Sequence, residues 1–234
     1  MNFSLEIGPK TDIDTIPALK DVYITFLPGG DHKETAEKAG ELVRKGCNPI
    51  PHIPARSIEN NNHLKEYIDM CKDLGVKQCL VIGGSREPVG KFESSIQLLE
   101  TGYFEGLKIG IAGHPEGSPD ISDSELEKAM QDKKPYADYI VTQWLLDPQP
   151  IIDFISKQSV PVHVGITGPL KITSLIKFAN IVGAKNSINF LKSNFSKALD
   201  LMRPKDPNDI IGKLKDHTEH FHIYTCGGLK ETNK

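Results

Sequence analysis

No stretch of the 234 residues approaches the roughly 20 consecutive apolar positions that a membrane-crossing helix needs, and the N-terminus lacks the basic-then-apolar layout of a signal peptide. A cytoplasmic protein with no membrane partner is therefore expected. Clustered basic residues are missing as well: 28 Lys and Arg face 31 Asp and Glu, the net charge is −3, and basic runs are as short as Lys133-Lys134. Nucleic-acid binding needs a concentrated positive patch, so that class is set aside. The four cysteines, Cys47, Cys71, Cys79 and Cys226, form no CxxC pair. A chain of this length needs no disulfide staple, and they read as small buried apolar groups. No GxSxG elbow, Walker-type GxxxxGK(S/T) loop or HExxH helix occurs, so those hydrolase and nucleotidase signatures are absent. Nor does a Ser-, Pro- or charge-rich linker divide the chain, and residues 1–234 read as one domain.

What is present is an alternation. Short runs rich in Val and Ile recur eight times, at Phe3–Ile7, Val22–Leu27, Pro49–Ile53, Gln78–Ile82, Leu107–Ala112, Tyr139–Trp144, Val160–Ile166 and Phe221–Cys226. Between them lie segments of helical period, such as His32–Lys45 and Asn62–Leu74, the second closed by Gly75. Ser122 with Glu125 three residues later reads as a capping box that opens another helix. Eight strand-and-helix units in about this length predict an α/β fold, a single (β/α)8 barrel, with a doubly wound sheet as the alternative. Nearly every strand run ends in Gly, Pro or a polar residue, as at Gly83-Gly84-Ser85, Gly113-His114-Pro115-Glu116 and Gly165-Ile166-Thr167-Gly168. In a barrel these ends share the face on which barrel enzymes place their active sites.

Two residues stand out. The period of two in Phe3-Ser4-Leu5-Glu6-Ile7 sets Phe3, Leu5 and Ile7 on one face and Ser4 with Glu6 on the other. If the apolar set packs on the helices, Glu6 points into the barrel near its rim, where desolvation would raise its pKa and suit it to act as a general acid. An exposed edge glutamate is the other reading. Gln143 closes Ile140-Val141-Thr142 and offers an uncharged donor and acceptor to an amide-like heterocycle, or else faces a loop. His52 and His114 end the third and fifth strands, while His217, His220 and His222 cluster near the C-terminus in a polar stretch. Their spacing matches no common zinc pattern, and no metal site is expected.

Several of these segments together resemble the 5,10-methylenetetrahydrofolate reductase family. Phe3-Ser4-Leu5-Glu6-Ile7-Gly8-Pro9-Lys10 is similar to that family's opening strand, which carries its catalytic glutamate. Thr25 to Gly30 followed by Glu34-Thr35, Pro51-His52-Ile53, Gly113 to Pro119, Ile140 to Gln143, Gly165 through Lys177-Phe178-Ala179, and His222 to Thr225 resemble later motifs in the same order. Several positions depart from the pattern. The LRGD turn is Ile82-Gly83-Gly84-Ser85, the tyrosine of AGYPEG is His114, and a stacking phenylalanine is Ile172. Lys128 or Lys133 would replace a lysine that the family carries before its ITQ strand.

The resemblance implies an oxidoreductase that holds FAD and reduces 5,10-methylenetetrahydrofolate to 5-methyltetrahydrofolate with NAD(P)H, in one-carbon and methionine metabolism. Glu6 would be the catalytic acid, and Gln143, Ser85 and Ile172 would bind the tetrahydrofolate substrate. By position, Thr35, His52, Gly83, Gly84, His114 and Glu116 would contact FAD. The departures admit two alternatives on the same barrel: a flavin-independent, folate-dependent methyl-transfer enzyme, or a non-catalytic folate-binding protein. The partner is a small molecule in every case. A homo-oligomer is admitted because family members often associate.

Overall fold

The computed structural model describes residues 1–118, 121–168, 207–225 and 229. Ile172, Cys226, Gly227-Gly228, Pro119 and the Lys177-Phe178-Ala179 segment lie outside them.

Eight parallel strands close into a barrel in sequence order: β1 (Asn2–Ile7), β2 (Asp21–Ile24), β3 (Asn48–Pro54), β4 (Gln78–Ile82), β5 (Lys108–Gly113), β6 (Tyr139–Trp144), β7 (Val162–Thr167) and β8 (His220–Tyr224). Around them run α1 (His32–Arg44), α2 (Asn61–Asp73), α3 (Ser95–Leu99), α4 (Asp123–Lys133), α5 (Pro148–Ile155) and α6 (Asn208–Leu214). The (β/α)8 expectation stands, and the doubly wound alternative falls because β8 pairs with β1. Two strands are shorter than the sequence suggests. The Val22–Leu27 run stops at Ile24, where the chain turns through Pro28 and Gly29 (φ +77°) toward α1. The Phe221–Cys226 run is a strand over His220–Tyr224.

Local chemistry sets the helix starts. Asp31 caps α1 by accepting from the Lys33 amide, and Asn60 caps α2 by accepting from His63. The Ser122 and Glu125 capping box is present at the head of α4. The apolar face of each strand packs outward on the helices: Leu5, Ile7, Val22, Ile53, Val81, Ile111, Val164, Ile166 and Phe221 are all buried in that layer. A second, smaller apolar cluster fills part of the barrel interior, made by Tyr23, Ile50, Leu80, Tyr139 and Val141 with Ile82 against it. Gly110 on β5 makes space for it, because a Cβ there would lie 2.5 Å from the Tyr139 ring.

The proline-rich β3 is an unusual wall strand. Asn48 donates its amide toward β2, to the Lys20 carbonyl. Alternation then turns Pro49 and Pro51 toward β4, where each lacks the N–H a ladder bond requires. The β3–β4 register accordingly runs only from His52 to Pro54 against Leu80 to Ile82.

Candidate active site at the C-terminal mouth

Strand periodicity brings Glu6 into the barrel. Leu5 and Ile7 are buried among the outer packing, while Ser4 and Glu6 face inward. The Glu6 side chain is 19% exposed, so it is neither an exposed edge residue nor sealed from a ligand. Two imidazoles flank the same carboxylate oxygen. His52 Nε2 on β3 lies 3.5 Å from Glu6 Oε2, and His222 Nε2 on β8 lies 3.8 Å from it. Both ring nitrogens are buried and have no hydrogen-bond partner.

Burial pushes the Glu6 carboxyl up, but the facing His222 imidazole and the charge interactions with His52 and His222 outweigh it, and the net pKa falls below the ordinary value. The expectation of a raised pKa and a general acid is therefore corrected. The flanking imidazoles win over desolvation, and Glu6 at neutral pH is a carboxylate suited to accept a proton. Burial drives His52 down to about 4, only partly offset by Glu6 and reinforced by His222, so it is neutral there.

Behind Glu6, the polar side chains continue toward the N-terminal end of the barrel. Ser4 pairs in register with His222 on β8. Ser4 Oγ lies 3.1 Å from His222 Nδ1 and 2.9 Å from His220 Nε2. His220 stacks on His163 of β7, with ring centroids 3.7 Å apart, and His163 Nδ1 lies 3.2 Å from the Tyr23 hydroxyl. His222 is thus a fully buried strand residue beside Glu6, although it follows a polar stretch of sequence at the start of its strand. The signal that exposes it was present: His220, His222 and Tyr224 alternate with Phe221 and Ile223, the same period of two that marks Glu6.

On the far side of the mouth, Gln143 is the next-to-last residue of β6. The β6–β7 register shifts between Val141 and Trp144, a bulge that re-aims the side chains at the strand end. Thr142 Oγ1 accepts from the Gly165 amide at 2.8 Å, and Tyr224 donates its hydroxyl to the Thr142 carbonyl at 2.9 Å. The backbones approach so closely that a Cβ on Gly165 would sit 2.4 Å from the Thr142 carbonyl oxygen. Gln143 is 9% exposed, and neither its amide oxygen nor its nitrogen has a partner.

The remaining predicted residues divide. Gly83, Gly84 and Ser85 follow β4 at the mouth, with Gly84 at φ +92° against Pro54 and Arg56. His114 and Glu116 follow β5, and burial with the nearby Lys133 lowers His114 to about 4. Thr35 is 1% exposed and hydrogen-bonds Tyr67, whose hydroxyl donates to the His52 carbonyl at 3.0 Å. It sits behind β3, in the layer between barrel and helices. Among the described residues, no group of three or more His, Cys, Asp or Glu side chains is arranged to hold a metal ion, and no helix is long and apolar enough to cross a membrane.

No family model matches the chain. Solved structures do resemble it. A protein assigned as a phosphonomutase from Burkholderia cenocepacia J2315 aligns with a TM-score of 0.56 at 11% identity, over 97% of this chain and 87% of that one. An oxaloacetate acetylhydrolase aligns at 0.58 and 9% identity, over 96% and 75%. A tryptophan synthase from M. tuberculosis aligns at 0.54 and 7%, over 99% and 90%. At such identities the likeness shows the barrel alone. It also corrects the methylenetetrahydrofolate reductase resemblance, because the barrels found are mutase, hydrolase and synthase and no reductase is among those named. The oxidoreductase activity falls with it, as do the folate substrate and both folate alternatives. The physical reason is that Gly, Pro and polar residues at strand ends belong to barrel mouths generally, so short motifs built from them carry over between unrelated barrels.

Proposed function

We propose that the protein is an enzyme that moves a proton on a carbon next to a carbonyl, with Glu6 as the base. The observation that carries this reading is the partly exposed Glu6 carboxylate, held below its ordinary pKa, 3.5 Å from an imidazole that burial keeps neutral. An ionised carboxylate takes the proton. A neutral imidazole stabilises the oxygen that gathers charge as the enolate forms, and a carboxylate base beside a neutral histidine is an established solution on this type of barrel. In the step, the C–H electron pair moves into the carbon–carbon bond and the carbonyl electrons move to oxygen. The proton resides on Glu6, and His52 Nε2 turns its N–H to the new oxyanion. Gln143, whose amide donor and acceptor are both unengaged, anchors an amide- or carboxyl-bearing part of the substrate. FAD and NAD(P)H, which entered only through the discarded resemblance, have no part in this chemistry.

Oxaloacetate, the 2-oxo acid in the name of one structural neighbour, supplies the first compound class to test. The protein would be incubated in D2O with a panel of small 2-oxo acids and cyclic amides, and loss of the C–H signal followed by proton NMR. At least one panel member is expected to exchange, and Glu6→Gln is expected to slow that exchange by about 100- to 10,000-fold, the usual worth of a positioned base. Absence of exchange across the panel, or exchange that survives Glu6→Gln, overturns the reading.

A further inference from the structure

The interior positions of a (β/α)8 barrel are usually filled by bulky branched residues. Here one side holds a polar file instead, running from the mouth to the first residue of β8: Glu6 faces His222 Nε2 at 3.8 Å, and hydrogen bonds join His222, Ser4 and His220 behind it. We propose that this file is a proton relay that links Glu6 to the opposite, N-terminal end of the barrel, a proposal that rests on the reading of Glu6 as a base.

The argument comes from counting protons. The Ser4 hydroxyl has one hydrogen and lies between two ring nitrogens, His222 Nδ1 at 3.1 Å and His220 Nε2 at 2.9 Å. It donates to one and must accept from the other. Only two arrangements satisfy all three groups. In the first, His222 carries its hydrogen on Nδ1 and gives it to Ser4, Ser4 gives to His220 Nε2, and His222 Nε2 faces Glu6 as a bare lone pair. In the second, every bond is reversed: His220 carries its hydrogen on Nε2, Ser4 donates to His222 Nδ1, and His222 Nε2–H points at Glu6. The second arrangement suits an ionised Glu6 and the first suits a protonated one.

Passing between them moves exactly one proton end to end. With Glu6 ionised the file rests in the second arrangement: a proton that enters at His220 Nδ1 sends the His220 Nε2 hydrogen to Ser4, the Ser4 hydrogen to His222 Nδ1 and the His222 Nε2 hydrogen to Glu6, which leaves the first arrangement. The reverse passage takes the proton from Glu6 out through His220, and Glu6 is a carboxylate again. No group is left charged in the interior. His163, stacked at 3.7 Å and bonded to the Tyr23 hydroxyl, holds the His220 ring in plane. The file gives Glu6 a proton route to and from the N-terminal end of the barrel that does not pass through the mouth.

The test reads tautomers and needs no turnover. In 15N-labelled full-length protein at neutral pH, long-range proton–nitrogen NMR shows which nitrogen of each ring bears hydrogen. Both His222 and His220 are expected to be Nε2–H. Glu6→Leu, with Glu6→Met as the second variant should the first fail to fold, removes the carboxylate that holds this arrangement. Both rings should then move toward Nδ1–H together, although position 6 touches only the first of them. With Ser4→Ala added, the His220 shift is lost, and with Ser4→Thr in its place it returns. Opposite tautomers on the two rings in the unaltered protein, or a His220 tautomer indifferent to position 6 while Ser4 is intact, overturns the relay. Because deuterium exchange tests Glu6 as a base and the tautomers test the file behind it, either can fail while the other stands.

Discussion

The barrel interior is built in two different ways on its two sides. Across β2, β3, β4 and β6, Tyr23, Ile50, Leu80, Tyr139 and Val141 fill space by shape. Across β7, β8 and β1, His163, His220, His222, Ser4 and Glu6 fill it with hydrogen bonds and ring stacking. Apolar packing gains stability with every atom removed from water and tolerates no missing volume. A buried polar file gains little net stability, because each bond replaces one that water offered, and its cost appears when a partner is removed. The first side is thus explained by folding alone. The second is not, and that contrast is what directs attention to chemistry.

The strongest way to break this contrast is on the apolar side. Ile50 is 1% exposed, and Ile50→Ala should cost about 2–5 kcal/mol, read as a lower urea midpoint. A smaller loss than that of the polar-side variants would show that the two sides are not distinct. Acid should act on the buried imidazoles in a defined window. His52 and His220 have pKa values lowered by burial from 6.5 to about 4, so between those values the unfolded chain binds protons that the folded one refuses. Stability is full above 6.5, falls by up to about 1.4 kcal/mol per pH unit for each such histidine, and stops falling from this source below about 4. The lowered Glu6 pKa adds a loss that begins only below its ordinary value of 4.5. A urea midpoint unchanged between neutral pH and pH of about 5 would contradict the buried, neutral histidines.

Ser4→Ala should cost about 1–3 kcal/mol, because it leaves His222 Nδ1 and His220 Nε2 without their shared partner. Restoration by Ser4→Thr would assign the loss to the hydroxyl and not to packing. The smallest effect is expected from Tyr224→Phe, which removes the bond to the Thr142 carbonyl and should cost about 0.5–1.5 kcal/mol in thermal or urea unfolding.

The sequence carried the fold well because the barrel is written as a repeated local pattern. The eight apolar runs, the capping box at Ser122 and the inward turn of Glu6 all follow from periodicity and capping chemistry. Of the predicted site residues, Glu6 and His52 meet directly across the barrel. Their partner His222 needed register: it adjoins Ser4 only because β8 returns to β1 across 218 residues. The sign of the Glu6 shift needed it too, since burial alone points the other way. Thr35 shows the opposite limit. Its place in the order of motifs suggested a ligand contact, yet the helix packing turns it to Tyr67 behind the wall.

The prolines of β3 have a mechanical meaning as well. With no N–H at Pro49 and Pro51 to donate from the lower part of β3 to β4, the cylinder is stitched more fully at its mouth than at its base. Fewer backbone bonds cross that seam at its base, so the barrel should breathe there before it opens anywhere near Glu6. The rigidity that proton transfer demands is thereby kept at the end where the chemistry is, and the slack is confined to the other.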